Sequence, residues 1–313
     1  MTGPAFYATY FDQRYLARGL VMMRSLRLAD PDAIIVALCL DALTFEIVAA
    51  QGDRQVVPVA HEDILAFEPA LRACADRPRA AFYATHKPVL PRYILMCWPE
   101  ASRVTHIDTD TYFFDSPKDV FAEAPTASIL LSPHRYHPDK NWERYYGRFN
   151  AGFISWRNDE TSRICLADYQ AQCLDRVEPD ESGGRFMNQG YLTVWPERYP
   201  NVHVLRHPGA NLAPWNVQSH RLQATRVDDV HAVTVDGMAL IFFHFSRMFR
   251  DTAGFWRTDY LNFGEANLAV ALLKIYQPYF RAVDAQILAL ARAGVSAQAM
   301  ELPPNLETFS YVT

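Results

Sequence analysis

Within its first hundred residues the chain switches repeatedly between two hydrophobic periods, and this alternation restricts the available folds more than any other feature. Strand-like runs rich in β-branched and aromatic residues fall at 6–10, 34–40 and 55–59. Residues 15–28 place Leu16, Leu20, Met23 and Arg27 at helical spacing, and 43–50 form a second, shorter helix. A third helix over 85–97 begins near Pro88 and Pro91 and is stopped by Pro99; it leads into the apolar run Val104-Thr105-His106-Ile107. Strands that alternate with helices in this way pair in parallel through right-handed crossovers. The expectation is therefore an α/β protein with a mixed, mostly parallel sheet flanked by helices.

The pattern loosens after Asp110. Residues 127–131 and 152–156 read as strands, separated by a loop over 133–150 that carries His134, Arg135, His137, Lys140, Trp142, Arg144, Tyr145 and Tyr146. A loop this long and this dense in rings and cations points to binding. Helices are expected at 160–174 and 184–194, and a strand at 240–243 ends on His244. From 263 to 293 the pattern gives two amphipathic helices that break at Pro278. No repeat or composition shift forces a boundary; the division expected is one domain over 1–260 with a C-terminal helical extension, 261–313, packed on it.

Composition narrows the partners. Of 313 residues half are apolar, enough for a sizeable core, and a net charge of −5 without a Lys/Arg stripe argues against nucleic acid. Five cysteines, Cys39, Cys74, Cys97, Cys165 and Cys173, form no Cys-x-x-Cys pair and read as reduced core residues of a cytoplasmic protein. Residues 1–4 run straight into a strand, which leaves no room for a secretory leader. No apolar run is long enough to span a membrane, although peripheral contact with the inner membrane stays open.

Chemistry concentrates where the run ending at Ile107 opens onto Asp108-Thr109-Asp110. Ligands of open α/β sheets gather beyond the carboxyl ends of strands, and paired carboxylates suit Mg²⁺ or Mn²⁺ carrying a phosphate. The same triplet also makes a well-capped turn. Further pieces follow in order: Asn150-Ala151-Gly152-Phe153, then Asn188-Gln189-Gly190-Tyr191-Leu192, then the loop Asn211-Leu212-Ala213-Pro214-Trp215-Asn216, and last His244.

With these elements the chain, over roughly residues 6–250, resembles the glycosyltransferases of the GT-A fold, a Rossmann-like nucleotide-binding architecture, and most of all the family eight retaining enzymes that use nucleotide sugars. The resemblance implies a cation, Mn²⁺ or Mg²⁺, held by Asp108, Asp110 and His244. It implies a nucleoside-diphosphate sugar donor, commonly a UDP-sugar. The base would meet Asp12 and Tyr15 of Asp12-Gln13-Arg14-Tyr15, for which helix cap and packing are the alternative roles. Thr9, Tyr10, Thr109, Asn150 and a cation matched by Lys87, with Arg92 as competitor, complete the donor side. In His244-Phe245-Ser246-Arg247-Met248-Phe249-Arg250 the family's glycine is Arg247 and its phosphate-binding lysine is Arg250, whose planar fork would grip two oxygens. Asn188 stands where similar enzymes have an aspartate near the reacting carbon, which removes a negative charge, and Gln189 beside it is retained. Asn188 and Gln189 are the catalytic candidates.

The implied reaction moves a sugar to an acceptor hydroxyl with retention, in surface-polysaccharide synthesis. An inverting route would need a carboxylate base, for which Asp180 or Glu181 before Gly183-Gly184 is placed. The acceptor, a glycan or lipid-linked glycan, is expected to meet His134, Arg135, Trp142, Trp215 and Asn216. Two alternatives stay open. One is a sugar-nucleotide-binding protein whose Asn188 marks lost turnover. The other is a phosphatase of the haloacid dehalogenase type, whose Asp-x-Asp sits near the first strand and continues differently from Tyr112.

Overall fold

The computed structural model describes residues 3–179, 186–227, 230–250, 254–258, 260 and 264–296. Its centre is a seven-stranded sheet built from β1 (Ala5–Phe11), β2 (Ile34–Cys39), β3 (Val56–Ala60), β4 (Arg103–Ile107), β6 (Ile129–Pro133), β7 (Phe149–Arg157) and β8 (Val202–Val204). The strand order is β3-β2-β1-β4-β7-β6-β8. The β1–β2, β2–β3, β1–β4 and β6–β8 pairs are parallel, and β7 runs antiparallel to both β4 and β6. The mixed, mostly parallel sheet expected from the alternation is present.

Alternate residues of each strand face opposite layers. Tyr7 and Phe11 of β1 with Ile35, Ala37 and Cys39 of β2 join one core, packed by helix α1 (Leu16–Ala29); Phe6, Ala8, Val36 and Leu38 join the other. That second core takes in α4 (Arg79–His86) and α5 (Val89–Cys97). Burial on both faces is why these strands read as nearly continuous apolar runs.

Several local expectations are corrected. The helix predicted over 85–97 is two helices, α4 and α5, which part at Lys87-Pro88 because proline lacks the N–H that would carry the helix through. At Pro278 the opposite happens. Helix Leu268–Val270 runs on through a π-helical stretch, Ala271–Tyr276, into Gln277–Arg292 with Pro278 in its first turn. A change of hydrogen-bond register just before a proline removes the need for its missing donor. Of the helix expected over 184–194, Gln189–Val194 is a 3-10 turn, and 184–185 lie outside the described residues. A hairpin sheet of β9 (Leu222–Val227), β10 (Val230–Val235) and β11 (Met238–Ala239) was not anticipated, although Asp236-Gly237, with φ of 50° and 86°, is a standard signal for a tight hairpin turn.

The C-terminal helix packs into the same core as α1. Phe245 stacks on Tyr279 with ring centroids 3.9 Å apart, and Val283, Ile287 and Leu290 join Leu16, Leu20 and Met23. Among the described residues no helix is long and apolar enough to cross a membrane.

Candidate active site

The strand order reverses at β1, which has β2 on one side and β4 on the other. Crevices at such reversals, beyond the carboxyl ends of the strands, are where open α/β sheets bind ligands. Here Asp12 follows β1 and Asp108 follows β4, and a cleft of about 280 Å³ opens beside Asp108. Its walls include Tyr10, Tyr15, Tyr83, Lys87, the Asp108-Thr109-Asp110 triplet and the segment Phe186 to Gln189.

Short strand pairing brings the distant histidine to the two acids. β5 (Thr111–Phe113) pairs antiparallel with β12 (Phe242–His244), so His244 lies opposite Thr111, next to Asp110. The Phe245 N–H donates to the Asp110 carbonyl at 2.6 Å, and the His244 N–H donates to Leu212 at 2.8 Å. One ligand atom from each of Asp108, Asp110 and His244 then lies within 4.8 Å of the other two, with His244 Nε2 3.1 Å from Asp110 Oδ1. Gly152 makes room for the ring: a β-carbon there would stand 2.5 Å from His244 Cε1 and 2.7 Å from Asn150 Oδ1. Trp215 packs edge-on against the imidazole at 5.1 Å.

Opposite charges set the ionisation of this cluster. Burial opposes ionisation of Asp108, yet Lys87, His106 and His244 hold its carboxyl well below the usual carboxylate range. Burial likewise pulls His244 down, but Asp110 and Asp108 outweigh it and leave its pKa raised. His106 is pushed down to about 4 by burial first and Lys87 second, so it is neutral at pH 7. Two carboxylates and one imidazole within reach of a common point fit a six-coordinate divalent ion with positions left for substrate oxygens.

Lys87, freed at the break between α4 and α5, is 5% exposed and bonds Asp108 Oδ1 at 2.7 Å and the Ala151 carbonyl at 2.9 Å. Arg92 is not among the residues that line the cleft. Asp12 accepts from the Arg14 N–H at 3.0 Å and from the Tyr83 hydroxyl, while α1 begins at Tyr15 without a side-chain cap. Tyr15 and Tyr10 both line the cleft; Thr109 lines it too, and Thr9, buried within β1, has a hydroxyl without a partner among the described residues. Asn150 accepts from the Gly152 N–H at 2.8 Å and so shapes the bend beside His244. Gln189 donates to the Tyr146 carbonyl at 2.9 Å, tying the cleft to the long loop. Asn188, buried at 4% exposure, donates its amide to the Ala84 carbonyl at 2.9 Å. Only an amide can make that bond, because a carboxylate has no proton to offer a carbonyl.

Other expected residues serve elsewhere. Arg250 donates to the Gly254 carbonyl at 3.0 Å and lies 3.7 Å from Asp284, away from the cleft lining. Arg247 adopts φ of 49°, the left-handed conformation that favours glycine, which explains the family's residue at that position. Three of the acceptor candidates spend their polar groups inside the chain. His134 bonds Gly147 through Nδ1; Arg135 donates to Leu205, His207 and Ala210; and Asn216, fully buried, donates to the His134 and Asn211 carbonyls. Trp142 is half-buried with Lys140 5.2 Å from its ring, and Trp215 is buried with its indole N–H unpartnered among the described residues. Asp180, Glu181 and Gly183-Gly184 lie outside the described residues. Sequence reasoning missed His106 and Tyr83. His106 was detectable, since residues two apart on a strand share a face and it sits two before Asp108.

The architecture is that of the GT-A glycosyltransferases. The galactosyltransferase LgtC, solved with donor and acceptor sugar analogues, matches with a TM-score of 0.55 over 90% of this chain and 95% of its own, at 14% identity. An active-site mutant of LgtC matches with a TM-score of 0.52 over 77% and 87%, at 13% identity. No family model matches the chain. In sequence it is 32% identical to the uncharacterised protein YfnF of Bacillus subtilis (strain 168) over 249 residues, 77% of this chain and 80% of YfnF, and 30% identical to YfnD of the same strain over 250 residues, 77% and 76%. The chain belongs to the family of YfnF and YfnD.

Proposed function

We propose that this chain is a metal-dependent glycosyltransferase that moves a sugar from a nucleoside-diphosphate sugar, a UDP-sugar in the first instance, to an acceptor hydroxyl. The observation that carries this reading is the meeting of Asp108, Asp110 and His244 at the strand-order reversal of a GT-A sheet. These three residues would hold Mn²⁺ or Mg²⁺, which when bound neutralises charge on the departing diphosphate. Tyr15 and Asp12 offer the base a ring face and a carboxylate, Tyr10 and Thr109 border the same space, and Thr9 is buried within β1 beside them. Lys87 is the cation within the cleft, beside the leaving group, and takes the part first assigned to Arg250. Asn188 and Gln189 border the sugar, and Gln189 faces the reacting carbon. With no carboxylate at 188, catalysis rests on positioning and electrostatic preorganisation. Retention follows from the resemblance to family eight. A glycan or lipid-linked glycan acceptor would approach over Trp142 and Trp215, in polysaccharide synthesis at the cytoplasmic side of the membrane.

A second reading, a sugar-nucleotide-binding protein without turnover, is favoured by one observation: the Asn188 amide is already committed to Ala84. A panel of nucleotide sugars with Mn²⁺, read by thermal stabilisation and then by mass spectrometry for donor hydrolysis or transfer, separates the two. Stabilisation with product formation is the expected result; stabilisation without it selects the second reading. Asp108→Ala should abolish the Mn²⁺-dependent part of the stabilisation, and full retention of the shift would take Asp108 out of the metal site.

A further inference from the structure

We infer that His106 is a positioning residue that makes Asp108 offer a single oxygen to a divalent cation and thereby sets which cations the cleft accepts. The inference rests on the metal-dependent reading above. Asp108 Oδ1 receives two donors, Lys87 Nζ at 2.7 Å and His106 Nε2 at 2.8 Å. A carboxylate only accepts, so the imidazole carries its hydrogen on Nε2, and each carboxylate oxygen has about two lone-pair directions. With both taken on Oδ1, Oδ2 alone is left for a cation.

Neither donor can swing away cheaply. Lys87 is also bonded to the Ala151 carbonyl at 2.9 Å. His106 is 1% exposed, on the same face of β4 as Val104 and against the α4–α5 layer, with its ring 5.3 Å from that of Tyr10. The parallel register of β1 and β4 sets Ala8 beside His106, which brings the Tyr10 ring to it from the next inward-facing position. His106 Nδ1, meanwhile, is buried and has no partner among the described residues. A ring that leaves one nitrogen unsatisfied costs stability that Leu or Phe in the same space would not. Packing alone does not account for a histidine here, whereas the bond to Asp108 does.

The consequence is ion choice. Ca²⁺ takes six to eight oxygens and readily uses both oxygens of a carboxylate, whereas Mg²⁺ and Mn²⁺ sites are built around six ligands. A carboxylate held to one free oxygen favours the latter. Such outer partners commonly carry about a 10- to 100-fold effect on metal affinity.

The test is calorimetric titration of Mn²⁺ and of Ca²⁺ into chelator-stripped full-length protein, as wild type, His106→Phe and His106→Gln, with melting in chelator to verify folding. The wild type should prefer Mn²⁺; His106→Phe should shrink that preference about tenfold or more, and His106→Gln, whose Nε2 can reach the same oxygen, should recover most of it. His106→Leu gives the same reading should the aromatic replacement fail to fold. A preference unchanged in the folded apolar variant, or lost equally in the Gln variant, overturns the clamp. Wild-type protein that binds no Mn²⁺ overturns the metal reading and the clamp together, whereas wild-type binding with an unmoved preference removes the clamp alone.

Discussion

The cleft and the 133–150 loop tied to it are built on different principles. At the exit of β4, Asp108, Lys87 and His106 hold one another inside the scaffold, and Asp110 and His244 are tied by strand pairing and a bond to Leu212. The 133–150 loop turns Arg135 inward to the Leu205, His207 and Ala210 carbonyls but keeps its other cations on exposed positions, where Lys140 rests on Trp142, Arg144 on Tyr145 and Arg148 on Phe149. Its link to the cleft is through Tyr146, which accepts from Gln189 and packs edge-on against Phe186 at 5.1 Å. The contrast assigns tasks by rigidity. A cation and a diphosphate need groups held to within fractions of an ångström, and a scaffold of strands supplies that. A loop, by contrast, tolerates variation and suits a surface that meets a larger partner.

That division can be broken at three points of falling severity. Gly152→Ala forces a β-carbon onto the His244 ring, so Mn²⁺ affinity should fall by about 10- to 100-fold while the protein still melts cooperatively; calorimetry on the folded variant measures it. Unchanged affinity would mean that the ring does not need the place it occupies. Asn188→Asp, which from sequence looks like the restoration of a missing catalytic acid, should instead lower stability by about 1–3 kcal/mol, because it sets a carboxylate against the Ala84 carbonyl in a buried place. Denaturant melts at pH 7 give the sign, and a gain in both stability and transfer would show that the amide bond is dispensable. Trp142→Ala should change stability by no more than about 0.5 kcal/mol and leave donor binding alone, while the acceptor KM rises several-fold. A donor KM that moves instead would blur the distinction between the cleft and the loop.

Legibility in the sequence followed the range of the interaction. The strand and helix alternation and the Asp108-Thr109-Asp110 exit rest on residues close in sequence, and β-branched runs announce them, whereas the break beside Lys87 falls within a stretch that reads as one helix. The joint at Pro278 misled because a proline is read as a stop, and whether a helix survives it depends on how the preceding turn bonds and on what covers the helix. The direction of the Arg250 side chain could not be read, since its partners, Gly254 and Asp284, belong to elements whose approach no spacing encodes. Asn188 invited comparison with an aspartate, and only the nearby Ala84 carbonyl shows what its amide does.

What this chain determined by itself is the strand and helix alternation of its first hundred residues, a mostly parallel sheet and the identity of the acids at the end of the fourth strand, because side-chain period and backbone sterics act over a few residues. The tertiary structure decided which oxygen of Asp108 is free, where His244 stands and why residue 152 must lack a side chain. Those are matters of distance between segments up to 157 positions apart, from Lys87 to His244, and only strand pairing and packing in the folded chain bring them together.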